Sequence, residues 1–117
     1  MQFDERVMGA VAILTVTGDI TLKKSSGGTL HDKVRGLVQR GHTRVLLNLA
    51  GVSYVDSAGL GELVQAHSTT RNYGGSLGVF NLTRRLHDLL LMTRLTSLLN
   101  TYDNEALALA SLDVRKA

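Results

Sequence analysis

The run Asp56-Ser57-Ala58-Gly59-Leu60-Gly61 is where this chain gathers side chains whose types and spacing could do chemistry. A hydroxyl next to a carboxylate, among small residues, can serve as a nucleophile, as a helix cap or as an acceptor of phosphate. The nucleophilic use needs the tight G-x-S-x-G turn that exposes a serine between a strand and a helix. In Val55-Asp56-Ser57-Ala58-Gly59, Val55 occupies the place of the first glycine. It also needs a base. His31, His42, His67 and His87 all lie far from Ser57 in sequence, and none sits in a loop bound to return to it. His67 falls on the apolar stripe of its own helix, the setting of a hydrogen-bonded core or boundary histidine. Hydrolysis is therefore disfavoured, and the chain reads as a non-enzyme. No H-x-x-x-H or H-E-x-x-H spacing links the histidines, and the acids do not cluster with them, so no metal site is expected. Ser25-Ser26-Gly27-Gly28 lacks the G-x-x-x-x-G-K-[ST] spacing of a phosphate cradle and reads as a surface loop.

The elements around Ser57 follow from hydrophobic periodicity. Val45-Leu46-Leu47-Asn48-Leu49 is an apolar run of buried-strand type, and the small-residue stretch after it reads as the loop that strand delivers. Leu60, Leu63, Val64 and His67 recur at i, i+3, i+4 and i+7, the spacing of one helical face. Asp56 to Gly59 thus lie where a strand hands over to a helix running from about Ser57 to Arg71. Asp56 or Ser57 is suited to cap it, because a side-chain oxygen there accepts from an unpaired backbone N–H. Gly59 and Gly61, poor helix formers placed in the first turn, leave the Ser57 hydroxyl open to another protein.

The rest of the chain alternates in the same manner. Phe3–Val7 and Val11–Thr17 read as strands joined by a turn at Met8-Gly9-Ala10, and Gly18-Asp19 breaks the second. That second strand puts Val11, Ile13 and Thr15 on one face and Ala12, Leu14 and Val16 on the other, mostly apolar on both, as in a strand covered on two sides. Leu30, Val34, Leu37 and Val38 mark a helix from Thr29 to Arg40, capped by Thr29 and stopped by Gly41. Ser76–Phe80 is a short strand, Thr83–Thr93 a helix with Leu86, Leu89, Leu90 and Leu95, and Leu98–Tyr102 a last strand. Asp103 should cap a final helix bearing Ala106, Leu107, Leu109 and Ala110, with residues beyond Leu112 frayed. The order β-β-α-β-α-β-α-β-α specifies an α/β domain with parallel neighbours in its sheet.

Composition bounds what such a domain does. The 117 residues suit one domain with one proper core, and 44% hydrophobic content argues against disorder. No apolar run approaches a membrane span, and Met1-Gln2-Phe3-Asp4-Glu5-Arg6 does not open like a signal peptide. The absence of cysteine excludes disulfides and thiolate chemistry and fits a cytoplasmic protein. Net charge is only +3, the basic residues are dispersed, and five aromatics spread along the chain supply no stacking platform, so direct nucleic-acid binding is not expected. No helix shows a sustained heptad seam that would fix an oligomeric state, and a monomer or weak dimer is expected.

With strand before and helix after, Asp56-Ser57-Ala58-Gly59-Leu60-Gly61 resembles the signature of STAS domains, in particular the bacterial anti-sigma factor antagonists. The resemblance spans about residues 3–112. It implies a single STAS-type domain over residues 1–117, with a mixed sheet of about five strands covered mainly on one face by about four helices. By the same resemblance Ser57 is the phosphorylation site. Asp19, Thr21, Asp56, Ser57, Ala58, Gly59 and Leu60 form the partner-binding surface, with Gly18-Asp19-Ile20 matching the family's second loop and Thr21 standing where a second acid is usual. The implied partners are an anti-sigma factor that is itself a serine kinase of the histidine-kinase-like ATPase type, and a phosphatase. Any nucleotide belongs to that kinase, so no cofactor is assigned to this chain. Other STAS domains imply the alternative of a scaffold or regulatory subunit, in a stress-signalling complex or a lipid-transport ATPase, without a phosphorylation cycle.

Overall fold

In the computed structural model, residues 1–8, 11–21 and 28–116 are described, with side chains described as far as residue 111. Five strands form one sheet in the order β1 (Gln2–Met8), β2 (Val11–Ile20), β3 (Arg44–Val55), β4 (Ser76–Phe80) and β5 (Asn100–Tyr102). β1 runs antiparallel to β2, and the remaining neighbours are parallel. The helices α1 (Leu30–Gln39), α2 (Ser57–Asn72), α3 (Arg84–Met92) and α4 (Glu105–Lys116) follow β2, β3, β4 and β5.

The sheet is buried on both sides, by unequal layers. Ala12, Leu14, Val16, Val45, Leu47, Leu77 and Val79 pack against Leu30, Val34, Leu37 and Val38 of α1, Leu63 and Ala66 of α2, and Leu86 and Leu90 of α3. On the opposite face Val11, Ile13, Leu46 and Phe80 cluster with Ala108 of α4, and among the described residues Tyr102 and Leu109 pack against them. The two-sided reading of β2 and the mainly one-sided helical cover both hold. In α4 the inward residue is Ala108, while Ala106 and Leu107 are exposed, so its apolar face is rotated from the expected one.

Capping accounts for most helix starts. Thr29 and Asp32 form a reciprocal box at α1. Thr83 Oγ1 accepts from Leu86 N at α3. At α4 the acceptor is Asn104 Oδ1, 2.9 Å from Leu107 N, and not Asp103. Gly41 follows α1 at φ +95°, the left-handed stop its position suggested. Leu95 lies outside α3 in a 3-10 turn, Leu95–Ser97, which shortens the last strand to Asn100–Tyr102. α4 continues to Lys116, beyond the expected fraying point. The turn residues Gly9 and Ala10 and the loop Lys23 to Gly27 lie outside the described residues.

The largest departure concerns the ends of β2 and β3. Gly18-Asp19 does not end β2, and the stretch after Leu49 is not a loop, since β3 continues to Val55. The register explains both. Thr15 and Thr17 face Asn48 and Gly51, and Gly18 and Asp19 face Val52 and Tyr54, so β3 twice carries one residue more than β2. Each is a β-bulge, which turns the strand locally. The buried residues of this half are therefore Leu49, Val52 and Val55, three apart and not two.

α2 packs on α1 through polar contacts as well as apolar ones. Buried Glu62 Oε1 accepts from His31 N at 3.1 Å, placing a carboxylate at the positive end of α1. His31 Nε2 lies 2.7 Å from Thr69 Oγ1. His67 is buried as its position on the stripe suggested, but its Nδ1 has no hydrogen-bond partner among the described residues.

A glycine contact closes the end of the sheet onto α2. A Cβ on Gly59 would overlap the carbonyl oxygen of Ile20 and approach Val55 Cγ1 to 3.0 Å, whereas a Cβ on Gly61 would meet nothing within 4 Å. Gly59→Ala is accordingly expected to cost about 2–4 kcal/mol, and Gly61→Ala to stabilise by up to about 1 kcal/mol through helix propensity. Urea unfolding of the two variants checks the contrast, and equal effects would refute it. Burial, then the positive charge of Arg71, lowers the pKa of His67 below its ordinary 6.5. The unfolded chain thus takes up this proton more readily than the folded one, so stability is complete above pH 6.5 and declines as pH falls below it. His67→Gln should flatten the stability-versus-pH curve between pH 7 and 5, measured by urea midpoints across that range.

Candidate functional site

All parallel strands of the sheet end at one edge, and the chain ends of β2 and β3 lie there side by side. Ile20 pairs with Val55, and Asp56 N donates to Ile20 O at 3.4 Å. Residues more than thirty positions apart in sequence are thereby adjacent, which is the usual place for a functional crevice in an α/β sheet.

Asp56 is the N-cap of α2, in extended conformation, with Oδ1 accepting from Gly59 N at 2.6 Å. Its carbonyl accepts from Leu60 N at 2.9 Å. The cap is thus made by Asp56 and not by Ser57. Ser57 is the first helical residue, exposed, and its hydroxyl has no hydrogen-bond partner among the described residues. The N–H groups of Ser57 and Ala58 belong to the helix turn that finds no acceptor within the helix. A free hydroxyl therefore stands at the positive end of a long helix, where an added anion is electrostatically favoured.

Ala58 and Leu60 are partly buried, and Leu60 packs on the edge of the main core. Gly59 is buried beneath the Ile20 carbonyl. Its role differs from the one its sequence position suggested: it admits the neighbouring strand and does not clear space at Ser57. Gly61 is exposed and makes no such close approach.

Asp19, exposed at the end of β2, faces Tyr54 across the ladder, and its Oδ1 accepts from Ser53 Oγ at 3.1 Å. Thr21 follows directly, half-buried, where β2 has ended. Ile20 lies between them with its side chain in the core and its carbonyl against α2. The structure thus brings Asp19, Thr21 and Asp56 to Leu60 to one edge. Neither Asp19 nor Asp56 forms an ion pair among the described residues.

Ser53 and Tyr54 belong to the same surface and were missed, because the bulges conceal the alternation that would have shown them pointing outward. Glu62 was also missed. Its position on the helix face beside Leu63 was the available signal, and only its hydrogen bond to α1 explains it. Of the histidines, His31 engages Thr69, His67 is buried in α2 and His87 is exposed on α3, and no hydrogen bond among the described residues joins any of them to Ser57.

Comparison with known proteins agrees with this geometry. The family model described as "Mlab, STAS domain" matches residues 3–100. A Paenibacillus polymyxa protein named anti-sigma F factor antagonist is 33% identical over 70 residues, which is 60% of each chain, so this chain spans about 60% of that relative's length. Among solved structures, an anti-sigma factor antagonist from Mycobacterium paratuberculosis superposes with a TM-score of 0.79 at 18% identity, covering 94% of this chain and 92% of that one. The phosphorylated form of the Bacillus cell fate determinant SpoIIAA superposes with a TM-score of 0.69 at 15% identity, over 95% and 99% of the two chains. These two likenesses are of fold. With five strands and four helices in the same arrangement, and the family match running through the signature at Asp56 to Gly61, the chain belongs to the STAS domain family.

Proposed function

We propose that this protein is an anti-sigma factor antagonist, a non-enzymatic binding module of the cytoplasm switched at Ser57. Unmodified, the surface made by Asp19, Thr21 and Asp56 to Leu60 binds a kinase-type anti-sigma factor, which then releases its sigma factor. Phosphorylation of Ser57 by that kinase ends the interaction, and a phosphatase restores it. The observation that carries this reading is the exposed, unpartnered Ser57 hydroxyl at the first position of α2, beside the cap formed by Asp56. The name of the Paenibacillus polymyxa relative and the existence of SpoIIAA in a phosphorylated form support it. No helix among the described residues is long and apolar enough to cross a membrane.

The physics of the switch is local. Phosphate adds about −1.5 to −2 charges at neutral pH, and Asp56 and Asp19 already supply carboxylates at this edge. Within the free protein the start of α2 stabilises the added anion. Against a docked partner the same dianion must shed water without gaining a cation, at a cost of several kcal/mol. About 4 kcal/mol corresponds to a thousandfold loss of affinity. No change of fold is required.

A second reading, a scaffold or regulatory subunit that grips a protein through the same surface without a phosphorylation cycle, is favoured by Thr21 at the place of the usual acid. Intact mass and phosphosite mapping on protein from its native host, in growing and stressed cells, separates the two. A single phosphate on Ser57 whose occupancy changes with condition is expected; Ser57 unmodified under every condition would turn the assignment to the scaffold. Against the cognate anti-sigma factor, Ser57→Ala should bind constitutively and Ser57→Asp at least a hundredfold more weakly. Wild-type affinity in Ser57→Asp would end the electrostatic account.

A further inference from the structure

β3 is longer than the neighbour that covers its outer edge. Its pairing with β4 covers only Arg44 to Asn48, opposite Ser76 to Phe80, while β3 itself continues to Val55. The ladder stops at a small polar lock. Asn81 turns the chain away with φ 59°, and Asn48 Oδ1 accepts from both Asn81 Nδ2 and Ala50 N, each at 3.2 Å. Beyond this lock the β4-facing edge of β3 has no strand beside it among the described residues.

α3 stands off from that edge and leaves an open groove of about 620 Å³. Val52, Tyr54, Val55, Leu86, Leu89 and Met92 give it a mainly apolar lining. Tyr54 is 54% and Met92 82% exposed, and the two line the groove together with the other apolar residues. Arg84, Arg85 and Asp88 share the α3 wall, all exposed and none in an ion pair among the described residues, so the wall carries a net positive charge.

The strand edge selects what can fill such a groove. An acyl chain or a helix laid on the apolar lining would remove water from the edge N–H and C=O groups of β3 and return no hydrogen bonds, which is costly for buried backbone groups. An extended peptide covers the same apolar surface and satisfies those groups with its own backbone. The two arginines then favour acidic over basic sequences. The bulge beside Ser53 bends the edge, so the added strand is short, about three or four residues.

We propose that this groove receives an extended, acidic-apolar peptide segment of a protein partner, added as a short parallel or antiparallel strand to the free edge of β3. Its alternate apolar side chains lie between Tyr54 and Met92, and its carboxylate meets Arg84 and Arg85. The site is separate from the Ser57 hydroxyl and does not depend on Ser57 being a switch.

The test is a phage-displayed library of random octapeptides panned against the whole chain, with the enriched sequences resynthesised and labelled with fluorescein. Enrichment of alternating apolar residues with at least one Asp or Glu is expected. By fluorescence anisotropy, the double variant Arg84→Glu, Arg85→Glu should bind these peptides at least tenfold more weakly, with an unchanged circular dichroism spectrum. N-methylation of alternate peptide amides should weaken binding by a similar factor, because it blocks strand addition while sparing the side chains. Amide exchange within Ser53 to Val55 should slow at least tenfold on binding. No enrichment over an unrelated control protein, a helical consensus, or indifference to N-methylation would overturn the proposal. So would sedimentation velocity showing a dimer whose Ser53 to Val55 amides are protected without peptide, which would make the occupant a second copy of this chain.

Discussion

The contact between the Ile20 carbonyl and Gly59 is the constraint on which the rest of the functional edge depends. It joins the end of β2 to the first turn of α2 at a distance that excludes any side chain. With the Asp56 N–H donating to the same carbonyl, it sets where α2 starts and how the helix leaves the sheet. Asp56 can then cap, Ser57 emerges as the first helical residue, and Asp19 and Thr21 are held on the neighbouring strand end. One half of this surface is the end of a paired strand, and the other is the capped first turn of a helix.

Such an arrangement suits the recognition role proposed for this protein. The proposed contact surface bears the carboxylates of Asp19 and Asp56, whose field a phosphate on Ser57 would strengthen. Leu63, Val55 and Ile20 belong to the main core, and Ile20 and Val55 close on Gly59 in the first turn of α2. The two β-bulges of β3 serve the same edge. They turn Val52 and Val55 inward to anchor the strand end, and they turn Ser53 outward to hold Asp19.

Much of the architecture was legible in the sequence because it follows from local periodicity. Leu30, Val34, Leu37 and Val38 are all buried on α1 as their spacing required, and Thr29 and Gly41 mark its ends through cap and left-handed geometry. The two faces of β2 were likewise visible in its alternating residues. The signature around Ser57 could be placed between a strand and a helix on the same grounds. What failed failed for identifiable reasons. The continuation of β3 past Leu49 was hidden by bulges, which replace a spacing of two with a spacing of three. Asp103 and Asn104 are both good caps in isolation, and only the direction in which β5 delivers the chain selects Asn104. The inward face of α4 could not be read from a segment in which alanine and leucine occur on every side.

By itself, then, the sequence determined the element order, the α/β class, the position of Ser57 at a helix start and the family resemblance, since each of these resides in residues near one another along the chain. Tertiary structure alone decided that Asp56 and not Ser57 is the cap, that Gly59 is required by a strand from elsewhere in the chain, that Ser53 holds Asp19, and that β3 outruns β4 to leave an open edge beside α3. Each of these depends on which strand lies next to which and in what register. Register comes from the simultaneous packing of two distant segments, a quantity that no local pattern contains.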